Sequence, residues 1–131
     1  MRNSVDYSVT VGYNTSVTGA GSVAVGSGDL VTGENSIAVG VGNIVSGSHS
    51  GAFGDPTIIS SDNSYSVGND NTIDSPFTDV FILGNSVTAT VGNSVYLGSG
   101  SVAYDAQSNK TAGMQPYTGS DIFGADVTFA G

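Results

Sequence analysis

Side chains that could perform catalysis are scarce in this chain. It has one histidine, His49, and no cysteine, so no Ser/His/Asp or Cys/His spacing places a base beside a nucleophile. His49 stands in a register that Asn35, Asn63 and Asn93 occupy in other repeats and is interpreted as a turn residue. Asp121 and Asp126 could be imagined as the paired carboxylates of a glycosidase, but solvated surface acids are far commoner. The sequence therefore predicts no enzyme, no catalytic residue and no cofactor.

An acidic stretch is the candidate ligand-contact loop. Asp70, Asp74 and Asp79 could ligate calcium, yet the D-x-[DN]-x-[DN]-G spacing and the G-G-x-G-x-D repeat are both missing. No metal site is therefore predicted. Loops that depart from a repeated scaffold often carry binding. The residues predicted to contact a ligand are Asn69, Asp70, Asp74, Pro76, Phe77 and Asp79.

The negative net charge restricts the kinds of molecule that this chain is expected to bind. The 131 residues include eleven acidic and two basic side chains, Arg2 and Lys110, for a formal net charge of -9. Nucleic acid and anionic lipid need clustered Lys and Arg, so neither is predicted as a partner. The sequence shows no signal peptide and no apolar stretch that could span a bilayer. We expect any export signal or anchor to lie outside this chain, which itself makes no direct membrane contact.

A five-residue phrase that ends in glycine recurs along the chain. The intervals between the phrase-ending glycines are 14, 14, 14, 14, 16 and 14 residues. These glycines are Gly12, Gly26, Gly40, Gly54, Gly68, Gly84 and Gly98. Such a period indicates a solenoid, because one unit is too short to bury its own apolar face and must stack on its neighbours. Positions are numbered below from the phrase-ending glycine, which is position 0 of its coil.

Alternation within each phrase predicts a β-strand. Positions -3 and -1 are apolar in nearly every phrase and are predicted to face inward. Position +5 is Val or Ile in five coils, which predicts a second strand and hence a flat coil of two short parallel sheets. The glycines at 0 and at +7, such as Gly33, are predicted to reverse the chain, often with positive φ. Asparagines at -5, such as Asn35, are interpreted as a turn ladder between coils.

Two rows are predicted to point outward and to form an interface between subunits. Position -2 holds residues small enough to let another chain approach: Thr10, Ala24, Ala38, Ala52 and Ser66. Position +4 presents three large aliphatics: Leu30, Ile44 and Ile58. An exposed aliphatic row is an interaction surface or an aggregation hazard. Packed on the small row of the next subunit, it makes a heterologous contact that can close into a ring. The alternative is a bulge that turns Leu30 and its peers inward.

Residues 1–98 are predicted to be the repeat region, and residues 99–131, which lose the period, a C-terminal cap or connector. Residues 122–129 predict two short strands around a turn. Aromatic residues of this segment would seal the last coil, as the ends of solenoids require. They are Tyr104, Tyr117, Phe123 and Phe129.

The phrases resemble the head repeats of YadA-like trimeric autotransporter adhesins of Gram-negative bacteria, usually written N-S-V-A-I-G. Residues 35–40 (NSIAVG), 93–98 (NSVYLG) and 21–26 (GSVAVG) carry the resemblance, which covers roughly residues 3–98. It implies a left-handed parallel β-roll and a homotrimeric head. It also implies a stalk and an outer-membrane anchor outside this chain. The phrase at 50–54 and the 16-residue interval depart from the family pattern.

The resemblance implies a cell-surface adhesin head that binds a host matrix protein or cell-surface receptor, or other heads in autoagglutination. The departures from the pattern mean that no particular ligand is inherited. The alternative is a trimeric phage tail-fibre segment with a structural or receptor-contacting role, which flanking sequence would distinguish. An ice-binding solenoid would need a regular threonine ladder, whereas position +6 mixes Thr, Ser and Asp.

Overall fold

Alternating short strands build two parallel sheets that enclose one core. The computed structural model describes residues 2–3, 5–103, 117–120 and 126–129, which contain strands and no helix. The first sheet contains, in spatial order, β2 (Val9–Tyr13), β4 (Val23–Ser27), β6 (Ile37–Val41), β8 (Gly51–Gly54), β10 (Tyr65–Val67), β12 (Val80–Leu83) and β13 (Ser94–Leu97). The second contains β1 (Arg2–Asn3), β3 (Ser16–Val17), β5 (Leu30–Val31), β7 (Ile44–Val45), β9 (Thr57–Ile59) and β11 (Asn71–Ile73).

The register repeats from coil to coil. Val23 of the first sheet pairs in parallel with Ile37, one coil on, and Val31 of the second sheet pairs with Val45. The 16-residue interval keeps this register, because Tyr65 still pairs with its equivalent. Equivalent residues therefore stack in columns along the rod. The predicted all-β parallel solenoid with roughly 14-residue repeats is confirmed.

The inward face of the first sheet is position -2, so the prediction that -3 and -1 face inward is wrong. Ala24 and Ala38 are completely buried in the core, whereas Val25 at -1 points outward and is 37% exposed. Position +5 faces inward as predicted, with Val31 and Val45 completely buried. A small buried residue at -2 accompanies a branched one at +5 of the same coil, as Ala24 does with Val31.

Core volume is shared between the two sheets of each coil. Ala38 on the first sheet accompanies Val45 on the second, whereas Ile82 on the first sheet accompanies Ala89, and all four are buried in the same core. A large residue is thus matched by a small one in the same coil.

Tyr96 fills the core at the C-terminal end of the described repeats. Its side chain is 1% exposed, and its hydroxyl oxygen accepts hydrogen bonds from the Thr90 and Val91 backbone N–H groups at 2.9 and 3.1 Å. Burial acts to raise the pKa of the phenol, but these hydrogen bonds outweigh it and lower the pKa below 10.0. Ala103 packs against the same core. Sequence reasoning did not assign Tyr96 this role.

Two described strands of the tail form a small antiparallel sheet. β14 (Tyr117–Ser120) pairs antiparallel with β15 (Asp126–Phe129). β15 lies within the range 122–129 that was predicted to hold two strands, whereas β14 precedes that range, and residues 122–125 lie outside the described residues. Tyr104 and Phe123 lie outside the described residues, and the sealing role of the tail aromatics stays a prediction.

Two glycine columns allow the coils to stack closely. Gly26 at position 0 has φ of +147°, and a side chain there would overlap the carbonyl oxygen of Gly40. The predicted positive φ is confirmed at this position. At +7 the reason differs. Gly33 has no positive φ, but a side chain there would overlap the carbonyl of Gly47.

Position -5 adopts the left-handed conformation in every coil. The residues are Tyr7, Gly21, Asn35, His49, Asn63, Asp79 and Asn93. Asn tolerates this conformation better than most residues, which accounts for its recurrence here. His49 has φ of 56°, and its N–H donates to the Glu34 carbonyl at 2.9 Å, so its assignment as a turn residue is confirmed.

Candidate interaction surfaces

Serines at position -4 stack in a column at one corner of the solenoid, where their hydroxyls form hydrogen bonds to backbone groups of the next coil. Ser36 Oγ accepts a hydrogen bond from the Ser50 backbone N–H at 3.1 Å and donates to the Gly47 carbonyl at 2.8 Å. Ser22 and Ser50 make the equivalent bonds one coil away. Positions -4 and -2 lie on the same side of a strand, since side chains alternate. The buried serines and the buried alanines therefore share the inward face.

A second polar column, at +3, holds the opposite corner. Asn43 Nδ2 donates to Asp29 Oδ1 at 3.1 Å and to the Gly54 carbonyl at 2.9 Å. Asn71 continues the column, and its Oδ1 accepts from the Val87 N–H at 3.0 Å. Sequence reasoning missed this column, although Thr, Asp or Asn occupies +3 in each of the first five coils. With backbone groups bonded internally at both corners, the sheets' outer faces are left for contact with other molecules.

The outer face of the first sheet is apolar and uncharged. We name this surface, formed by positions -3 and -1, the first-sheet face. Its residues are Val9, Val11, Val23, Val25, Ile37, Val39, Phe53, Tyr65, Val67, Phe81, Leu83, Val95 and Leu97. Gly51 interrupts the -3 column because the Tyr65 ring occupies the space beside it, 2.8 Å from where a Cβ would lie. No strand from β2 to β13 carries a charged residue.

The outer face of the second sheet carries the aliphatic row that the sequence predicted. Leu30, Ile44 and Ile58 point outward, and Ile58 is 41% exposed. The bulge that would turn them inward is therefore excluded. Large exposed apolar surfaces mark sites of association. The part of these three residues in a trimer stays a prediction.

The small-residue row does not point outward, which corrects its assignment as a surface. Ala24, Ala38, Ala52 and Ser66 are completely buried, and Thr10 of the same column is partly buried. A residue enclosed by its own coil cannot contact a second chain. The small residue at -2 leaves room in the core for the branched residue at +5 of the same coil.

The structure divides the six predicted loop residues between two corners. The extra two residues of the long coil lie between Asp74 and Asp79, where Pro76 is exposed and Phe77 packs partly against the core. Asp74 Oδ1 accepts a hydrogen bond from Ser60 Oγ at 2.9 Å, and Asp79 Oδ2 accepts one from Thr78 Oγ1 at 2.8 Å. Ligand contact by this corner stays a prediction.

Asn69 and Asp70 lie at the opposite corner, between β10 and β11. Both are exposed, but Asn69 also has a structural function. Its Oδ1 accepts a hydrogen bond from the Asp55 N–H at 3.0 Å, and its N–H donates to Asn85 Oδ1 at 2.8 Å. These two residues therefore do not share a surface with Pro76 and Phe77.

The exposed carboxylates lie at the corners and not on the sheets. Within residues 5–103 they are Asp6, Glu34, Asp55, Asp62, Asp70, Asp74 and Asp79. In this part of the chain no three His, Cys, Asp or Glu side chains are grouped to hold a metal ion. Nor do the described residues include a helix of the length and apolarity needed to cross a membrane.

The architecture defines the class of protein: a parallel β-solenoid of stacked coils, compatible with a β-roll domain. No protein-family model matches the chain, and no curated protein is significantly similar to it.

Proposed function

We propose that this chain is the head of a trimeric bacterial surface adhesin that binds a host matrix protein or cell-surface receptor. The observation that carries the proposal is the pair of outer faces, formed by strands that carry no charged residue from β2 to β13, on a solenoid whose described exposed carboxylates lie at its corners. Apolar surface of this extent favours association over exposure to water. The resemblance of the repeated phrases to YadA-like heads supplies the adhesive function and the number of subunits.

The proposed contact joins the aliphatic row of one subunit to the first-sheet face of the next. Both surfaces repeat once per coil, at the strand spacing of about 4.7–4.9 Å, so side chains of one can interdigitate with those of the other along the rod. The contact is heterologous, because different surfaces meet, and it closes into a ring when three subunits are joined. This arrangement buries Leu30, Ile44 and Ile58 against Val, Phe and Leu side chains.

The corners remain available for a ligand once the faces are covered. They carry the exposed carboxylates and the protruding Pro76, and each trimer presents three copies of every corner. Several weak contacts on one rigid body give avidity for an immobilised partner. The head is therefore proposed to bind surfaces more strongly than the same partner free in solution.

Light scattering on a sizing column tests the assembly. Three subunits of 13.0 kDa predict a particle of about 39 kDa. Val67→Asp places a charge on the first-sheet face and should yield monomers. Thr32→Asp, at an exposed position on the second sheet outside the aliphatic row, should remain trimeric. A parent protein that is monomeric at micromolar concentration would contradict the proposed contact.

Attachment to immobilised matrix proteins and to host-cell monolayers tests the adhesive function. Deleting Pro76 and Phe77 restores the 14-residue interval and should reduce attachment while the trimer persists. Because Phe77 packs on the core, the double variant Asp74→Asn/Asp79→Asn gives a second test that leaves the corner's length unchanged. If both trimeric variants attach as well as the parent, this corner is not the binding surface. If the trimeric parent attaches to nothing, the adhesin proposal fails while the assembly stands.

A further inference from the structure

In four coils the inward side chain at +3 donates a hydrogen bond to the carbonyl of the position-0 glycine in the next coil, whereas the coil of Gly84 has Val87, which cannot donate, at this position. The four bonds run from Thr15 Oγ1 to Gly26 at 3.2 Å, from Asn43 Nδ2 to Gly54 at 2.9 Å, from Thr57 Oγ1 to Gly68 at 3.2 Å and from Asn71 Nδ2 to Gly84 at 2.7 Å. Hydroxyl and amide groups can all donate. An ionised carboxylate cannot.

Asp29 occupies the same position and is 1% exposed. Its Oδ1 accepts hydrogen bonds from the Asn43 backbone N–H at 2.9 Å and from Asn43 Nδ2 at 3.1 Å. Its Oδ2 is buried and has no such partner. This oxygen lies 2.8 Å from the point where a Cβ of Gly26 would be, and the Gly40 carbonyl oxygen lies beside the same point. Oδ2 and Gly40 O are therefore neighbours, and both are acceptors unless one carries a proton.

We propose that the folded solenoid holds Asp29 as a neutral carboxylic acid whose Oδ2 hydroxyl donates a hydrogen bond to the Gly40 carbonyl. Protonation gives Asp29 the donor that Thr and Asn supply in the neighbouring coils. It also leaves Oδ1 free to accept both bonds from Asn43, so the carboxylic acid uses each of its oxygens. The ionised form would bury a charge and turn an acceptor toward the Gly40 carbonyl.

The described side chains around Asp29 contain no positive charge that would favour the ionised form. The +3 neighbours, Thr15 and Asn43, are uncharged, as are all residues of the strands from β2 to β9. The chain has no Lys or Arg between residues 3 and 109. Among the described residues, Asp55 is the charged group whose field acts on Asp29, and it has the same sign. Burial raises the pKa of Asp29 most, the Asn43 hydrogen bonds lower it, Asp55 raises it, and the net change is upward from 3.8.

The proton makes the stack sensitive to pH. Because the folded chain binds this proton more tightly than the unfolded chain, the stabilisation is fully present below pH 3.8 and is lost as pH rises through the folded pKa. Ionisation of Asp29 therefore removes its hydrogen bond to the Gly40 carbonyl and weakens the contact between the two coils. This inference concerns the coil itself and does not depend on the adhesin proposal.

Asp29→Asn tests this hydrogen bond between coils, because asparagine has the shape of the neutral acid and donates at any pH. Asp70→Asn is the matched control, since it removes one negative charge from an exposed corner. Urea-unfolding midpoints measured from about pH 4 to about pH 8 should fall with rising pH in the parent and in Asp70→Asn. The Asp29→Asn midpoint should fall less and should exceed the parent's at about pH 7. Equal pH profiles for the two variants, or a less stable Asp29→Asn protein at every pH, would overturn the proposal.

Carbon-detected NMR of carboxyl-labelled aspartate measures the proton directly. The Asp29 resonance, assigned from its loss in Asp29→Asn, should titrate above pH 3.8, the ordinary pKa of this carboxyl. Titration at or below pH 3.8 would show that the folded chain does not retain the proton.

Discussion

Core residues are distributed differently at the two ends of the solenoid. In the coils of Gly26, Gly40 and Gly54 the first sheet contributes alanine and the second contributes Val or Ile. In the coil of Gly84 the order is reversed, with Ile82 on the first sheet and Ala89 on the second. This comparison indicates that each coil combines one large and one small inward residue. Either sheet can carry the large one, so the residue type in a single column is not fixed.

The reversal coincides with the long coil. The serine column is interrupted there, because Val80 occupies -4 and only its backbone N–H bonds to Ser64 Oγ, at 3.2 Å. Ser94, at -4 of the following coil, donates instead to the Val91 carbonyl. Phe77 packs against the core from the enlarged corner, and Tyr96 fills the coil that follows. The C-terminal coils are thus held by larger apolar side chains, where the N-terminal coils use alanines together with hydroxyl hydrogen bonds.

Loss of the Tyr96 ring should have the largest effect on this arrangement. Tyr96→Ala empties the core beside the small Ala103 and should lower the free energy of unfolding by about 3–5 kcal/mol. Tyr96→Phe keeps the ring but leaves the Thr90 and Val91 N–H groups without their acceptor, and should cost about 1–3 kcal/mol. Urea denaturation compares the two. Equal losses would mean that the ring does not fill the core.

Ile82→Ala should come next, at about 2–5 kcal/mol, because it places alanine on both sheets of one coil. The double variant Ile82→Ala/Ala89→Ile gives this coil the N-terminal distribution and should recover much of the loss. A double-mutant cycle by urea denaturation measures the coupling. Strictly additive effects would contradict the pairing of one large with one small inward residue.

The opposite change, Ala52→Ile, should cost about 1–3 kcal/mol by overpacking a coil that already holds Ile59. Adding Ile59→Ala should relieve the strain and give the coil the C-terminal distribution. Thermal unfolding of the single and double variants provides the comparison. A single substitution without effect would show that the sheets can separate freely.

The smallest stability effects should come from the outer face, which keeps the same character at both ends. Val25→Ser and Leu83→Ser should each change the stability of the isolated subunit by about 0.5 kcal/mol or less. Both should weaken self-association on dilution, as measured by analytical ultracentrifugation. A large loss of subunit stability from either change would mean that the face packs inside the coil.

The glycine period was sufficient to predict the two-sheet coil and the inward column at +5. It could not decide which side of the first sheet is buried, because alternation defines two sides and both carry apolar or small residues here. Choosing the more hydrophobic side placed Val25 inside and Ala24 outside, and this was wrong. The inverse sizes at -2 and +5, as in Ile82 with Ala89, were present in the sequence and would have corrected the choice.

The sequence placed some residues of the candidate surfaces correctly and others wrongly. Leu30, Ile44 and Ile58 were placed correctly because a large aliphatic next to an inward +5 residue must point outward on a strand. The loop residues were grouped by proximity in sequence, whereas the coil separates Asn69 from Phe77 by the width of a strand and a corner. The Thr and Asn side chains at +3 donate to a carbonyl that lies one coil away in the stack. Only the stacked structure therefore shows that Asp29, when ionised, lacks the donor that these residues provide.

Thiol labelling of single-cysteine variants tests the burial of position -2 most directly, since the chain has no native cysteine. Ser66→Cys, nearly isosteric with the buried serine, should react much more slowly than Thr32→Cys until the protein is unfolded. Its outward neighbour, as Val67→Cys, should react readily in the dilute, dissociated subunit. Labelling of Ser66→Cys in the folded protein at the rate of Thr32→Cys would contradict the assignment of the small-residue column to the core.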